Sequence, residues 1–129
     1  MKTILSLLAL AFPFFCSCQQ QKADFQSLPV ENFSDLIANP EVQLLDVRTV
    51  AEYSEGHILG SININVLDEA NFLPMAEEML QKDKPVALYC RSGKRSKKAA
   101  EILSKKGFKV TELDSGINGW RSAGKEIKQ

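Results

Sequence analysis

Cys90-Arg91-Ser92-Gly93-Lys94-Arg95-Ser96 is the stretch around which this 129-residue chain is organised. Ahead of it, Pro85-Val86-Ala87-Leu88-Tyr89 is a short apolar run of the kind that makes a buried strand. Behind it, Ala99, Ile102 and Leu103 recur at helical spacing between Ser96 and Lys106, and Gly107 stops the pattern. The order is therefore strand, tight loop, helix, with Cys90 at the strand's last position. Gly93 permits a positive φ and close backbone approach. The N–H groups of residues 91 to 96 can then converge on the sulfur as an anion nest at the positive end of the helix. Arg91, Lys94 and Arg95 add formal positive charge. Each of these favours thiolate over thiol, so Cys90 is expected to be acidic and nucleophilic. The competing reading is an inert buried cysteine beside a solvated basic helix start.

Composition narrows the partners. The chain is 44% hydrophobic and 25% charged with a formal net charge of zero, the balance of one ordinary globular domain. No basic field points to nucleic acid. The positive charge near Cys90 is local and suits a small anion. Lys2 and the apolar run from Thr3 to Phe15 read as an export signal, too short to span a bilayer comfortably. Cys16-Ser17-Cys18 and the polar Gln19-Gln20-Gln21-Lys22 follow. A small residue just before a cysteine at this point resembles a bacterial lipoprotein signal, and Cys18, preceded by Ser17, is the expected lipidation site. Residues 1–18 are thus read as the signal, 19–24 as a tether and 25–129 as the domain. The expected address is the periplasmic side of a bacterial membrane, through a lipid anchor. The alternatives are a soluble periplasmic or secreted protein, or an uncleaved anchor. With Cys16 removed and Cys18 lipidated, Cys90 is the only thiol left and no structural disulfide can form.

Along the domain, strand and helix patterns alternate. Phe25 to Leu28 reads as an edge strand closed by Pro29. Ser34 is taken as the cap of a short helix from Asp35 to Ala38. Val42 to Val47 reads as a central strand. Thr49 and Glu52 fit a capping box for a helix through Tyr53. His57 to Ile64 reads as a third strand region with a turn at Gly60. Asn71 is taken as the cap of a helix from about Phe72 to Gln81. Lys109 to Leu113 reads as the last strand, followed by a closing helix after Gly116. This alternation predicts an α/β fold with a mainly parallel sheet of about five strands, covered by helices on both faces. Ligands of such folds bind at the carboxyl ends of strands, where Cys90 stands.

Three segments, taken in order, resemble the single-domain rhodaneses, or rhodanese-like sulfurtransferases. The first is Leu45-Asp46-Val47-Arg48 with Glu52-Tyr53, Gly56-His57-Ile58, Gly60-Ser61 and Asn63-Ile64. The second is the Cys90 to Ser96 loop, similar to the family's active-site loop. The third is Gly116 with Gly119-Trp120 and Ala123-Gly124. The match covers about residues 25 to 127. Asn65 stands where the family usually has proline, and Ser115 where the first of two glycines is common.

The resemblance implies a rhodanese-like three-layer α/β/α fold and a two-step sulfur transfer through a Cys90 persulfide. It implies a small anionic donor such as thiosulfate and a thiol or cyanide acceptor. Ser92, Gly93 and Ser96 belong with Arg91, Lys94 and Arg95 to the substrate-binding loop. Arg91 is expected to bind the donor and Arg95 to order the loop. Lys94 is read either as part of the field or as a solvated charge. Asp46, Arg48, His57 and Trp120 are expected to be structural. No metal or other cofactor is expected, and the protein is read as a monomer. Two other classes compete. One is a non-catalytic sulfur-carrying or binding module. The other is a cysteine phosphatase or arsenate reductase, which needs an arginine after five intervening residues; here Arg95 follows four, and the next position is Ser96.

Overall fold

The architecture follows from a central strand that is apolar on both faces. The computed structural model describes residues 23–129; the expected signal and Cys18 lie outside the described residues. The chain runs β1 (Phe25–Leu28), α1 (Val30–Ile37), β2 (Gln43–Asp46), α2 (Val50–Glu55) and β3 (Ile62–Asn63). It continues through α3 (Glu69–Met79), β4 (Val86–Tyr89), α4 (Lys94–Lys105), β5 (Val110–Leu113) and α5 (Gly116–Ser122). The five strands form one sheet in the order β1-β5-β4-β2-β3, with every pairing parallel. Strand β4 is central and fully buried. Leu88 faces Leu45 on one side and Glu112 on the other.

Two apolar layers hold the helices to the sheet. On one face Leu45, Val86, Leu88, Cys90 and Val110 pack with Phe72 and Ala76 of α3 and with Ala99, Ala100 and Leu103 of α4. On the other, Ala87, Tyr89 and Leu113 pack with Phe33 of α1 and with Ile117 and Trp120 of α5. The alternation Val86, Leu88, Cys90 against Ala87, Tyr89 is the period-2 pattern of a strand covered on both sides. This is the three-layer α/β/α fold expected from the alternation of elements.

Several boundaries differ from expectation. Helix α1 starts at Val30 after Pro29, not at Asp35 after Ser34. Proline supplies a φ already suited to a helix start, and Phe33, with no exposed surface, belongs to the buried face. Helix α3 starts at Glu69 after Asp68, so Asn71 lies in its first turn, where its Nδ2 donates to the Asp68 carboxylate. The third strand shrinks to Ile62–Asn63. Gly60, at φ 85°, makes the turn ahead of it, and His57 instead pairs with Lys128 in an isolated antiparallel bridge. At Asn65 the side chain accepts from the Leu67 N–H at 3.0 Å, an Asx turn where proline would otherwise set the bend. Helix α4 begins at Lys94, two residues earlier than expected, and Cys90 stands one residue past β4. Lys94, Arg95 and Ser96 are therefore the first helical turn, and the loop proper is Cys90 to Gly93.

Candidate functional site

The loop from Cys90 to Gly93 is held by contacts that only small residues permit. Gly93 caps α4 at φ 108° and ψ −11°, and a Cβ there would collide with the Asp114 carbonyl. Gly116, at φ 63°, lies so close to the Arg91 carbonyl and Ser92 nitrogen that a Cβ there would overlap both. The N–H groups of Ile117 and Asn118 donate to the carbonyls of Cys90 and Arg91 at 2.9 and 3.0 Å. The start of α5 thus fixes the backbone on either side of the sulfur.

Within this frame Cys90 is 1% exposed. The Gly93 N–H donates to its Sγ at 3.1 Å, and the Ser96 hydroxyl oxygen lies 3.4 Å away. Burial pushes the thiol up, but hydrogen bonding with the Ser96 hydroxyl and with the N–H groups of Ser96, Gly93 and Ser92 outweighs it, and the thiol is more acidic than an ordinary cysteine. The acidity therefore comes from the loop's own hydrogen bonds. The sequence gives equal weight to formal charge, and the structure disperses that charge. Arg91 is exposed and lines a cavity of about 150 Å³ with Arg48, Glu52, Glu55, Asn118 and Arg121. Lys94 is exposed. Arg95 grips Glu52 through two bonds of 2.6 and 2.9 Å and borders a separate apolar cavity of about 330 Å³ formed with Val66, Phe72, Leu73 and Ile102.

Glu52 thereby acquires two duties. It closes the capping box of α2 with Thr49 and anchors the first turn of α4 through Arg95. Arg95 holds its carboxyl down to about 2, with burial opposing and Thr49 assisting. A carboxyl depressed from 4.5 to about 2 contributes stability that is complete above pH 4.5 and lost as pH falls towards 2. Replacing Glu52 with Gln is expected to cost about 1–2 kcal/mol at neutral pH. That difference should vanish near pH 2, because the wild-type pair has by then been protonated away. Urea unfolding of both proteins across this range measures it; a constant difference would show that the charge is not the cause.

The other polar residues singled out by sequence sit in the scaffold. Arg48 and Asp46 form a buried pair at 2.7 Å, and Arg48 also donates to the Gly56 carbonyl at 2.7 Å. The Asn63 amide donates to the carbonyls of both residues, tying this corner to β3. The His57 ring stacks on Tyr53 at 3.8 Å, with Nδ1 2.9 Å from the Tyr53 carbonyl. Trp120 is 5% exposed; its indole N–H donates to the Glu126 carbonyl at 3.0 Å, and its ring meets Phe33 edge to face. Sequence reasoning missed Glu112 altogether. It stands on β5 with no exposed surface, and its Oε1 lies 2.8 Å from the Ser96 hydroxyl, next to the sulfur. A glutamate two residues on from Val110, hence on the same face of the strand Val110-Thr111-Glu112-Leu113, was the available signal.

Comparison with known proteins agrees with this geometry. The family model described as a rhodanese-like domain matches residues 29–123. The chain is 31% identical over 102 residues to a thiosulfate sulfurtransferase of Shewanella oneidensis, covering 78% of this chain and 97% of that protein. It is 36% identical over 93 residues to a tRNA uridine(34) hydroxylase of Photorhabdus laumondii, covering 70% of this chain but 26% of that longer protein. A crystal structure of a rhodanese-related protein from Thermoplasma volcanium superposes with a TM-score of 0.69 at 30% identity, over 80% of this chain and 97% of that one.

Proposed function

This chain belongs to the rhodanese-like domain family, and from that premise we propose that it transfers sulfane sulfur from a small anionic donor such as thiosulfate to a thiophilic acceptor through a persulfide on Cys90. The observation that carries this reading is the environment of Sγ: a thiol made acidic by loop hydrogen bonds, at the end of the central strand, with almost no exposed surface. Thiolate is the attacking form. A sulfur so deeply set is reached by a single projecting atom more readily than by a bulky tetrahedral group, which favours sulfane donors over phosphate esters.

The steps balance without an external oxidant or reductant. Thiolate Sγ attacks the outer sulfur of thiosulfate; a new S–S bond forms, the old one breaks, and sulfite leaves with the bonding pair. The outer persulfide sulfur carries the negative charge and meets the same N–H donors. A cyanide or thiolate acceptor then attacks that outer sulfur and restores the Cys90 thiolate. Arg91, exposed beside the loop and on the same cavity as Arg121, is the proposed guide for the anionic donor. Arg95 acts through its hold on Glu52, keeping the first turn of α4 in place.

The test is incubation of the protein with thiosulfate, followed by intact mass and peptide mapping. A gain of one sulfur atom at Cys90, removed by cyanide with release of thiocyanate, is the expected result. No gain, together with hydrolysis of an aryl phosphate, would replace the proposal with a phosphatase. No gain and no hydrolysis would leave a binding module.

A further inference from the structure

Glu112 is a buried carboxylate that the sulfur-transfer steps do not use. On β5, Val110 and Glu112 face α4, while Leu113 faces the opposite layer. Its Oε1 meets the Ser96 hydroxyl at 2.8 Å and Lys97 Nζ at 3.1 Å. Its Oε2 meets no protein donor, the one buried side-chain oxygen of this kind among the described residues. A half-partnered carboxylate inside a strand is costly, so its place beside the loop calls for a reason.

The Ser96 hydroxyl supplies one. It carries a single proton and has three acceptors in reach: Glu112 Oε1 at 2.8 Å, the Gly93 carbonyl at 3.0 Å and Cys90 Sγ at 3.4 Å. Ion-paired with Lys97, Glu112 is the strongest of them. With the proton on that side, Ser96 Oγ turns lone pairs towards Sγ and suits an S–H that donates to it. A thiolate needs the reverse orientation. The hydroxyl must then leave Glu112, whose Oε1 keeps only Lys97.

We propose that Glu112 is a positioning residue of the sulfur site, setting the acidity of Cys90 by competing with its Sγ for the Ser96 hydroxyl proton. This rests on Cys90 being the reactive sulfur, but its readout is alkylation rather than sulfur transfer, so either reading can fail alone. Arg91 and Lys94 of the loop are exposed to solvent. From α4, Lys97 pairs with both Glu112 and Asp114, the residue that follows β5. Arg95, whose charge interacts with Cys90, is paired with Glu52 of α2, and Asp46 with Arg48 at the end of β2. Glu112 is the group among these that shares a hydrogen-bond partner with Sγ. It therefore restrains the thiolate. Removing its charge leaves an amide oxygen facing Ser96 and Lys97, a weaker acceptor that releases the hydroxyl proton to the sulfur more readily.

The experiment is the pH dependence of iodoacetamide alkylation at Cys90, followed on the Cys90 peptide by mass spectrometry in the full-length chain. Glu112→Gln is expected to lower the alkylation midpoint by about one pH unit, a tenfold gain in thiolate below the midpoint. Ser96→Ala is expected to raise the midpoint. Adding Glu112→Gln to Ser96→Ala should then recover no more than a third of the shift, because the shared proton is gone. Should Glu112→Gln fail to fold, Glu112→Asp keeps the charge but falls short of Ser96 Oγ, and should move the midpoint in the same downward direction. An unchanged or raised midpoint in the glutamate variants overturns the proposal. So does an undiminished shift in the Ser96→Ala background, which would mean that the charge acts directly across space.

Discussion

Replacing Cys90 with Ser is expected to bring thiosulfate-to-cyanide sulfur transfer below about 1% of the wild-type rate. A hydroxyl is not ionised at neutral pH, and no loop hydrogen bond shifts it far enough to attack sulfur. The fold should survive. The substitution keeps a polar atom where the Gly93 N–H and Ser96 already point, so the cost is about 1–2 kcal/mol from lost packing in the layer shared with Leu88 and Leu103. Near-UV circular dichroism and a thermal melt establish that the variant is folded. The same preparation is then assayed for turnover and for mass gain. Residual turnover above a few per cent would place the chemistry on another residue.

The second large effect is at Gly93. A Cβ there meets the Asp114 carbonyl, which is backbone just past the end of β5 rather than the end of a flexible side chain. Positive φ adds strain for any side chain. Gly93→Ala is expected to cost at least about 3 kcal/mol and to slow persulfide formation roughly a hundredfold or more, as its N–H swings off Sγ. Gly107→Ala is the matched control. Gly107 also has a positive φ, at 92°, but a methyl group added there would meet nothing within 4 Å. It should lose only about 1 kcal/mol and leave the sulfur chemistry untouched. Equal losses in the two variants would mean that backbone strain, not the contact with Asp114, governs the loop.

The layered sheet was legible because its evidence is local. Val86 to Tyr89 is an apolar run of strand length followed by helical spacing, and Leu44 to Val47 is apolar but for Asp46. The Thr49 and Glu52 capping box was legible for the same reason, since both partners lie within one turn. The starts of α1 and α3 were misplaced because Ser34 and Asn71 are good capping residues that happen to lie inside helices, where packing of Phe33 and Phe72 decides. The site was legible in its backbone and not in its side-chain partners. The hold of Arg95 on Glu52 spans 43 residues, and Ser96 meets Glu112 across 16. No local pattern reports such pairings. Counting cations near Cys90 therefore overstated their joint action: the fold turns Arg91 towards one cavity and Arg95 towards another.

Because every strand runs the same way, the domain has a front and a back. Phe25 opens β1 in register with Val110, level with Val86 at the start of β4. Cys90 follows the far end of that same strand. A connection made through residues ahead of Phe25 therefore joins the domain on the opposite rim from the sulfur, about 13 Å away along the strands. An attachment at that rim leaves the loop pointing outward from whatever holds the chain. Donors and acceptors would arrive from open solution, and immobilising the protein by its N-terminus should not shade its reactive end.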